Sequence, residues 1–496
     1  MLTNGITYLK KHPHLLILLL ILLVGFFLRT YKLLDRFEFA HDGDLYSWFV
    51  KDVVVDHHLR LIGQLTSAPG IFIGPAFYYL IIPFFFLANM DPLGAALFIT
   101  ILGMLTLASY YYVFSRLFNK TVGTIAMFLD ATLITQVLFD RWVVNTALTN
   151  IWSVWFFYAI LMLTRSQYKI LPLLGFLAGL VWHIHIALAP AFLAVPVAIW
   201  LSGKHPDRKS VIGFFVGLAI PSIPFLLFEL RHDFSQTLSL VSNFGASHGS
   251  STGFEKLSMV LQMMLGNQFV LLFAPWKISL VGQLATIVSI SLSAFILIKK
   301  KILSARTILV LSVWVLGIIL FYTLTSSPIS EYYFKNIEII TLAFASLVLY
   351  VLYKSSQLGK IITFAIIIII LVTNSLFLIR DYRPSDKGYA QKKKVVDFIT
   401  EDARKNGFPC IGLSYMTHPG QDVGFRYFFW LKNMHVNKPN KDLPIYTITI
   451  PYGPSQPRFG LIGVITPQNI PDQETMLTAC SGENDNLTYP MFGFTK

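Results

Sequence analysis

Three carboxylates, Glu38, Asp42 and Asp44, fall within EFAHDGDLYSW, residues 38–48, beside His41 and the aromatics Phe39, Tyr46 and Trp48. Acids grouped this closely suit proton abstraction from an attacking hydroxyl, cation binding, or capping of the helix LYSWFVKDVVV that follows. Further polar residues recur between apolar runs: Asp52, Asp56, His57, His58 and Arg60; Asp140, Arg141 and Asn145; His183 and His185; Glu229, Arg231, His232 and Asp233; Glu331, Tyr332, Tyr333 and Lys335. Arg60, Arg141, Arg231 and Lys335 are the candidates to hold a departing phosphate, whose charge needs Arg, Lys or a metal ion. Asp42, Asp140, His183 and His185 are the candidates for a divalent metal.

Each has a plainer reading. Asp44 suits an N-cap as well as chemistry. Arg141 suits snorkelling to headgroups as well as phosphate binding. His183 and His185, two apart at a helix end, need not face the same way. Glu229, Arg231 and Asp233 read as a surface charge cluster, and Tyr332-Tyr333 as part of an aromatic belt. Asp130, in mid-membrane, reads as a hydrogen-bonding partner for another helix. The chain has no Walker loop, no GxGxxG leading into a helix, and no zinc-type cysteine or HExxH spacing.

The elements that must position these residues are membrane helices. The 496-residue chain is 55% hydrophobic and only 13% charged, against roughly a quarter for soluble proteins. Its apolar runs match a hydrocarbon core about 30 Å thick. The excess of basic residues, +13 formally, sits in short breaks such as Lys10-Lys11, Arg116/Lys120, Arg165/Lys169, Lys204/Arg208/Lys209, Lys299-Lys300-Lys301 and Lys354/Lys360. The positive-inside rule places these in the cytoplasm, and no nucleic-acid partner is needed to explain them.

With those loops inside, about eleven transmembrane helices are expected over residues 1–380: 14–31, 92–114, 121–139, 146–164, 170–183, 186–201, 210–228, 269–298, 307–325, 337–353 and 361–380. Residues 32–91 and 229–267 are then outer loops. GPAFYYLIIPFFFLANM, 74–90, is short, broken by Pro83, and expected to lie in the outer interface. The first apolar run lacks a cleavage site and reads as an uncleaved helix with a cytoplasmic N-terminus. Residues 381–496 are polar and form an extracytoplasmic α/β domain, with a helix over 392–407 and strands at 409–415 and 445–450. The cysteines Cys410 and Cys480 are either a disulfide or two thiols.

An initial membrane helix, an acidic outer loop with an aspartate before an aromatic, and a GP-x-x-YY interfacial helix together resemble the GT-C glycosyltransferases. The match is nearest the family 39 type, the protein O-mannosyltransferases and aminoarabinose-lipid A transferases. Their Asp-Glu-x-x-Tyr motif falls on Asp42-Gly43-Asp44-Leu45-Tyr46; Gly43 stands at the Glu position, and the second acid passes to Asp44. LLGFLAGLVWHIHIALAPAFLAVP, 173–196, is similar to the family's fifth and sixth helices. The resemblance implies a sugar moved from a polyprenyl-phosphate donor to a hydroxyl of a protein, lipid or glycan on the outer face of the plasma membrane, with inversion. It makes Asp42 the general base, Asp44 its partner, Tyr46 a donor-site residue and Asp140 a second acid. A transporter or flippase of a lipid-linked substrate is the alternative, and a noncatalytic scaffold a third reading. Transporters favour midplane sites and repeated halves, whereas the polar residues here gather at one face and no repeat is visible.

Overall fold

A computed structural model describes residues 13–66, 70–245, 252–274, 279–326, 328–381, 383, 385–451, 453, 455–482 and 484. The Lys10-Lys11 break lies outside the described residues. A helical bundle precedes a smaller C-terminal part built on a sheet. Among the described residues eight helices are long and apolar enough to cross a membrane, and four shorter apolar ones accompany them.

Helix α1 (Pro13–Thr30) leads through a single helical turn at Leu33–Arg36 to α2 (His41–Val54), which carries the acidic motif. Helix α3 (Ala76–Leu87) has 12 residues, or about 18 Å, too short to cross the bilayer. It packs against α2 and against α4 (Leu93–Leu117).

The expected helix over 121–139 is broken. Helix α5 (Lys120–Thr132) stops at Leu133, whose backbone is extended, and α6 (Ile134–Phe139) restarts one residue on. Carbonyls freed at a break in an apolar bundle need partners. The Arg29 guanidinium donates to those of Asp130 (3.1 Å) and Ala131 (3.2 Å), and Asn374 Oδ1 accepts the Ile134 N–H at 2.8 Å. Next come α7 (Thr149–Thr164), α8 (Leu171–Ile184), a 3-10 stretch Ile186–Leu193 around Pro190, and α9 (Ala194–Ser202).

Helices α10 (Arg208–Arg231) and α11 (Ser235–Gly245) follow. The expected single helix over 269–298 is instead two: α12 (Phe254–Phe273) and α13 (Leu280–Lys299). Near the start of α12, Lys256 donates to the Thr325 carbonyl at 2.9 Å; near its end, Asn267 donates to the Glu331 carbonyl at 2.6 Å. Thr325 and Glu331 bound the link between α14 (Ala305–Leu324) and α15 (Glu338–Ser355), so α12 runs along one end of the bundle despite its apolarity. The described residues of 229–267 are largely helical.

Helix α16 (Gln357–Leu376) completes the bundle. The inner and outer helices differ sharply: the stretch holding α7 is 78% buried, and those holding α10, α13 and α16 are 17% buried. The first packs protein; the others present Leu, Ile and Phe to lipid.

In the C-terminal part, α17 (Tyr389–Lys405) ends before Gly407, whose φ of +68° suits a glycine-terminated helix. Strands β1 (Ile411–Thr417), β2 (Val436–Asn437), β3 (Ile445–Ile450), β4 (Arg458–Phe459) and β5 (Ile462–Ile465) form one sheet, ordered β2-β1-β3-β5-β4. Strand β1 runs parallel to both neighbours, and β3 and β5 are antiparallel. Helix α18 (Phe425–Leu431) joins β1 to β2, and α19 (Gln473–Ala479) follows β5. Cys410 and Cys480 are disulfide-bonded, settling the choice that composition left open.

Candidate functional site

Asp42 and Asp44 lie in the first turn of α2, where a helix turns about 100° per residue, so side chains two apart point to opposite sides. Asp42 Oδ1 accepts from Gln64 Nε2 at 3.2 Å, and Gln64 Oε1 accepts from the Tyr78 hydroxyl at 3.0 Å. Its carboxylate is also within electrostatic reach of Tyr46, Tyr78 and Tyr332. Asp44 faces the C-terminal part: Trp48 Nε1 donates to it at 3.1 Å, and Lys392 and Arg426 lie nearby. Burial pushes its carboxyl up to about 6, against the pull of Lys392 and Trp48. The two acids are not a pair.

A cavity of about 530 Å³ opens at the same end of the bundle. Its walls include Arg36, Glu38, Arg141, Trp142, Glu331, Tyr332, Lys335 and Glu338. Tyr332 lines the cavity and lies within electrostatic reach of Asp42. Trp142 packs edge-on to Tyr332 at 6.1 Å, and His185 packs on Tyr333 at 4.8 Å. Arg36 is buried, with its guanidinium 5.3 Å from the Tyr31 ring centre.

Beneath the cavity is a buried polar cluster. Arg29 is fully buried and donates twice to Asp140 Oδ2, at 2.7 and 2.9 Å, with Asp130 3.6 Å away. Asn150 bridges Asp140 (3.0 Å) to Gln136 (3.1 Å). Lys335 Nζ then donates to Gln136 (3.1 Å) and Glu338 (2.6 Å), and Gln136 also donates to Glu338 at 2.7 Å.

The structure redistributes the residues expected to act. Asp140 is a buried partner of Arg29, not an acid open to ligand. Arg141 lines the cavity, and its guanidinium caps α1 by donating to the carbonyls of Leu28, Arg29 and Tyr31 at 2.9–3.0 Å. Arg60 pairs with Asp52. Arg231 is exposed at the end of α10, and Glu229 is buried, accepting the N–H groups of Gln236 and Thr237 at the start of α11. Tyr46 is core, its ring packed on Phe77 and Phe85. Lys335 alone of the expected phosphate ligands reaches the cavity with an ammonium held by side chains.

The metal candidates do not converge. His183 spends one ring nitrogen on the Pro221 carbonyl (2.7 Å) and the other on the Ala76 N–H (3.2 Å), and His185 caps the Ala187 N–H at 3.1 Å. Among the described residues no three His, Cys, Asp or Glu side chains group to hold a metal ion. The set Asp42, Asp140, His183 and His185 does not fit one.

Arg29, Arg36 and Gln64 were not anticipated. An arginine at the end of an apolar run reads as an interfacial anchor, Arg36 sits in a featureless turn, and Gln64 has no motif around it.

No protein-family model and no curated protein matches the sequence. Solved structures match in shape. ArnT from Cupriavidus metallidurans bound to undecaprenyl phosphate aligns over 88% of this chain and 93% of its own, with a TM-score of 0.54 at 10% identity. The archaeal oligosaccharyltransferase AglB from Archaeoglobus fulgidus, in complex with an inhibitory peptide and a dolichol-phosphate, aligns over 94% of this chain and 76% of its own, with a TM-score of 0.50 at 13% identity. The chain shares its fold with these two proteins.

Proposed function

We propose that this protein transfers a sugar from a polyprenyl-phosphate donor to an acceptor hydroxyl, with Asp42 as general base. One observation carries the reading: Tyr332 lines a cavity whose wall holds Arg36 and Lys335, and lies within electrostatic reach of the motif carboxylate. The ArnT and AglB structures of the same fold hold undecaprenyl phosphate and dolichol-phosphate, which is the class of lipid such a cavity would take.

The acceptor oxygen attacks the anomeric carbon from the side opposite the phosphate. The carbon–oxygen bond to phosphate breaks as the new glycosidic bond forms, inverting the centre. The hydroxyl proton passes to Asp42 as the attacking oxygen becomes acidic. Polyprenyl phosphate leaves with its charge against Arg36 and Lys335, in a site where few waters compete. Gln64 and Tyr78 orient the carboxylate. Exposed apolar faces of the outer helices leave room for the isoprenoid in lipid.

Two features support an extracytoplasmic site in a plasma membrane. The basic breaks at Arg116/Lys120, Lys204/Arg208/Lys209 and Lys354/Lys360 lie at the helix ends opposite the cavity, and the C-terminal part carries a disulfide. The broken helix at Leu133 favours a transporter, whose ion sites use such breaks. Here Arg29 and Asn374 consume the freed backbone groups, leaving no helix end for cargo.

The test is transfer in proteoliposomes given a panel of polyprenyl-phosphate sugars and hydroxyl acceptors. The reading expects stoichiometric glycosylated acceptor and free polyprenyl phosphate. Lipid crossing the bilayer unchanged would support the transporter instead.

A further inference from the structure

We infer that Asp44 and Lys392 are positioning residues, which clamp the first turn of α2 from the C-terminal part and so aim Asp42. The inference rests on the transfer reading above. Residues 35–48 are gripped along one side by the C-terminal part. Ser385 and Tyr389 donate their N–H groups to the carbonyls of Asp35 and Phe37, each at 2.9 Å. The Phe39 ring packs on Phe428 at 5.0 Å, and Trp48 lies edge-on to Tyr427 at 5.4 Å.

Gly424 makes the closest approach. Its φ is +90°, and a Cβ there would come within 3.1 Å of both the Phe39 ring and Lys392 Nζ. Only glycine meets both the backbone conformation and the space. Lys392 is thereby held: its Nζ donates to the Val423 carbonyl at 2.7 Å and lies 5.2 Å from the Phe425 ring centre. The joint is fixed again at Asp91, which accepts from Tyr389 (2.8 Å) and Lys393 (2.7 Å). On the other side Asp42 takes, among the described residues, one direct hydrogen bond, from Gln64 at 3.2 Å. The Asp44 side thus adds a second set of contacts to those of Gln64 and Tyr78 in orienting that turn, and a misplacement of about 1 Å costs roughly 10²-fold in rate.

The groups facing Asp44 are Lys392 from α17, Gly424 and Arg426 at the start of α18, Trp48 from its own helix, and the hydroxyls of Tyr415, Tyr427 and Tyr46. Asp422 and Lys387 face Lys392. Burial raises Asp44 to about 6 and lowers Lys392 to about 8. Both are charged only between those limits: below, Asp44 takes a proton; above, Lys392 loses one.

The experiment measures kcat and donor KM against pH for the full chain in proteoliposomes, with polyprenyl-phosphate sugar as donor. Asp44→Asn and Lys392→Met should each lower kcat about tenfold with donor KM within about twofold, because the cavity wall is untouched. Asp44→Asn should erase the acid limb near pH 6, and Lys392→Arg should keep kcat while moving the alkaline limb upward. Should Asp44→Asn fail to fold, Trp48→Phe decides; it removes one hydrogen bond to Asp44, keeps the aromatic packing, and should lower kcat about threefold. Wild-type kcat in Asp44→Asn, a loss confined to KM, or equal damage from Lys392→Arg and Lys392→Met would overturn the clamp. Transfer that survives Asp42→Asn would strike the general-base reading instead, a separate result.

Discussion

Two groups of charges lie one above the other at the same end of the bundle and are built on opposite plans. In the lower one, Arg29, Asp140, Gln136, Asn150 and Glu338 hydrogen-bond to one another, Asp130 lies 3.6 Å from Arg29, and Lys335 joins the group while also reaching the cavity wall. In the upper one, Asp42 makes a single direct side-chain hydrogen bond among the described residues, and Tyr332 is only partly buried. Ionised groups in an apolar bundle are tolerated when paired, and a site that must bind something leaves groups unspent. The contrast separates charges that hold the fold from charges available for chemistry, with Lys335 at the boundary, bonded to the lower group and lining the cavity.

The largest expected effect comes from breaking the lower group. Asp140→Ala leaves Arg29 facing the break at Leu133 with its main counter-ion gone. A loss of about 3–5 kcal/mol should follow, read as collapse of folded yield and of the thermal midpoint in detergent. Arg29→Met combined with Asp140→Leu should recover part of that loss, since two apolar side chains leave no buried charge unpaired there.

An intermediate effect is expected at the cavity wall. Arg36→Met should leave the folded yield intact and raise donor KM roughly tenfold, the worth of one charge-assisted hydrogen bond. Binding of polyprenyl phosphate followed by calorimetry checks it. Wild-type affinity in that variant would place Arg36 with the structural charges.

The smallest effect concerns stability. Burial raises the Asp44 pKa above its ordinary 3.8, so the cost to stability is full above about pH 6 and shrinks away as pH falls from there toward 3.8. Asp44→Asn should therefore stabilise the protein at pH 8 by on the order of 1 kcal/mol, even as it slows transfer. Equal thermal midpoints at pH 8 would remove the burial cost from the account.

The sequence reading reached the bundle, the short helix at 76–87 and the sheet-bearing tail because each follows from hydropathy over ten or more residues. It missed local events that hydropathy does not report. The break at Leu133 depends on Arg29 and Asn374, which approach from helices distant in sequence. Helix α12 has the composition of a span, and only its contacts with Thr325 and Glu331 show that it runs along the bundle end. At the site, Asp42 and Asp44 read as a pair when written in line, but helical geometry turns them apart. Arg60 and Arg141 were placed by position along the chain, which cannot show that a carboxylate or a row of carbonyls already occupies them.

The central claim is that Asp42 serves chemistry and the cavity serves binding. The most direct measurement takes Asp42→Asn in proteoliposomes and records polyprenyl-phosphate affinity and sugar transfer on the same preparation. The account predicts unchanged affinity and a transfer rate lowered by about 10²–10⁴-fold, as for loss of a general base. Transfer at the wild-type rate, or affinity lost along with it, would contradict the division of labour between motif and cavity.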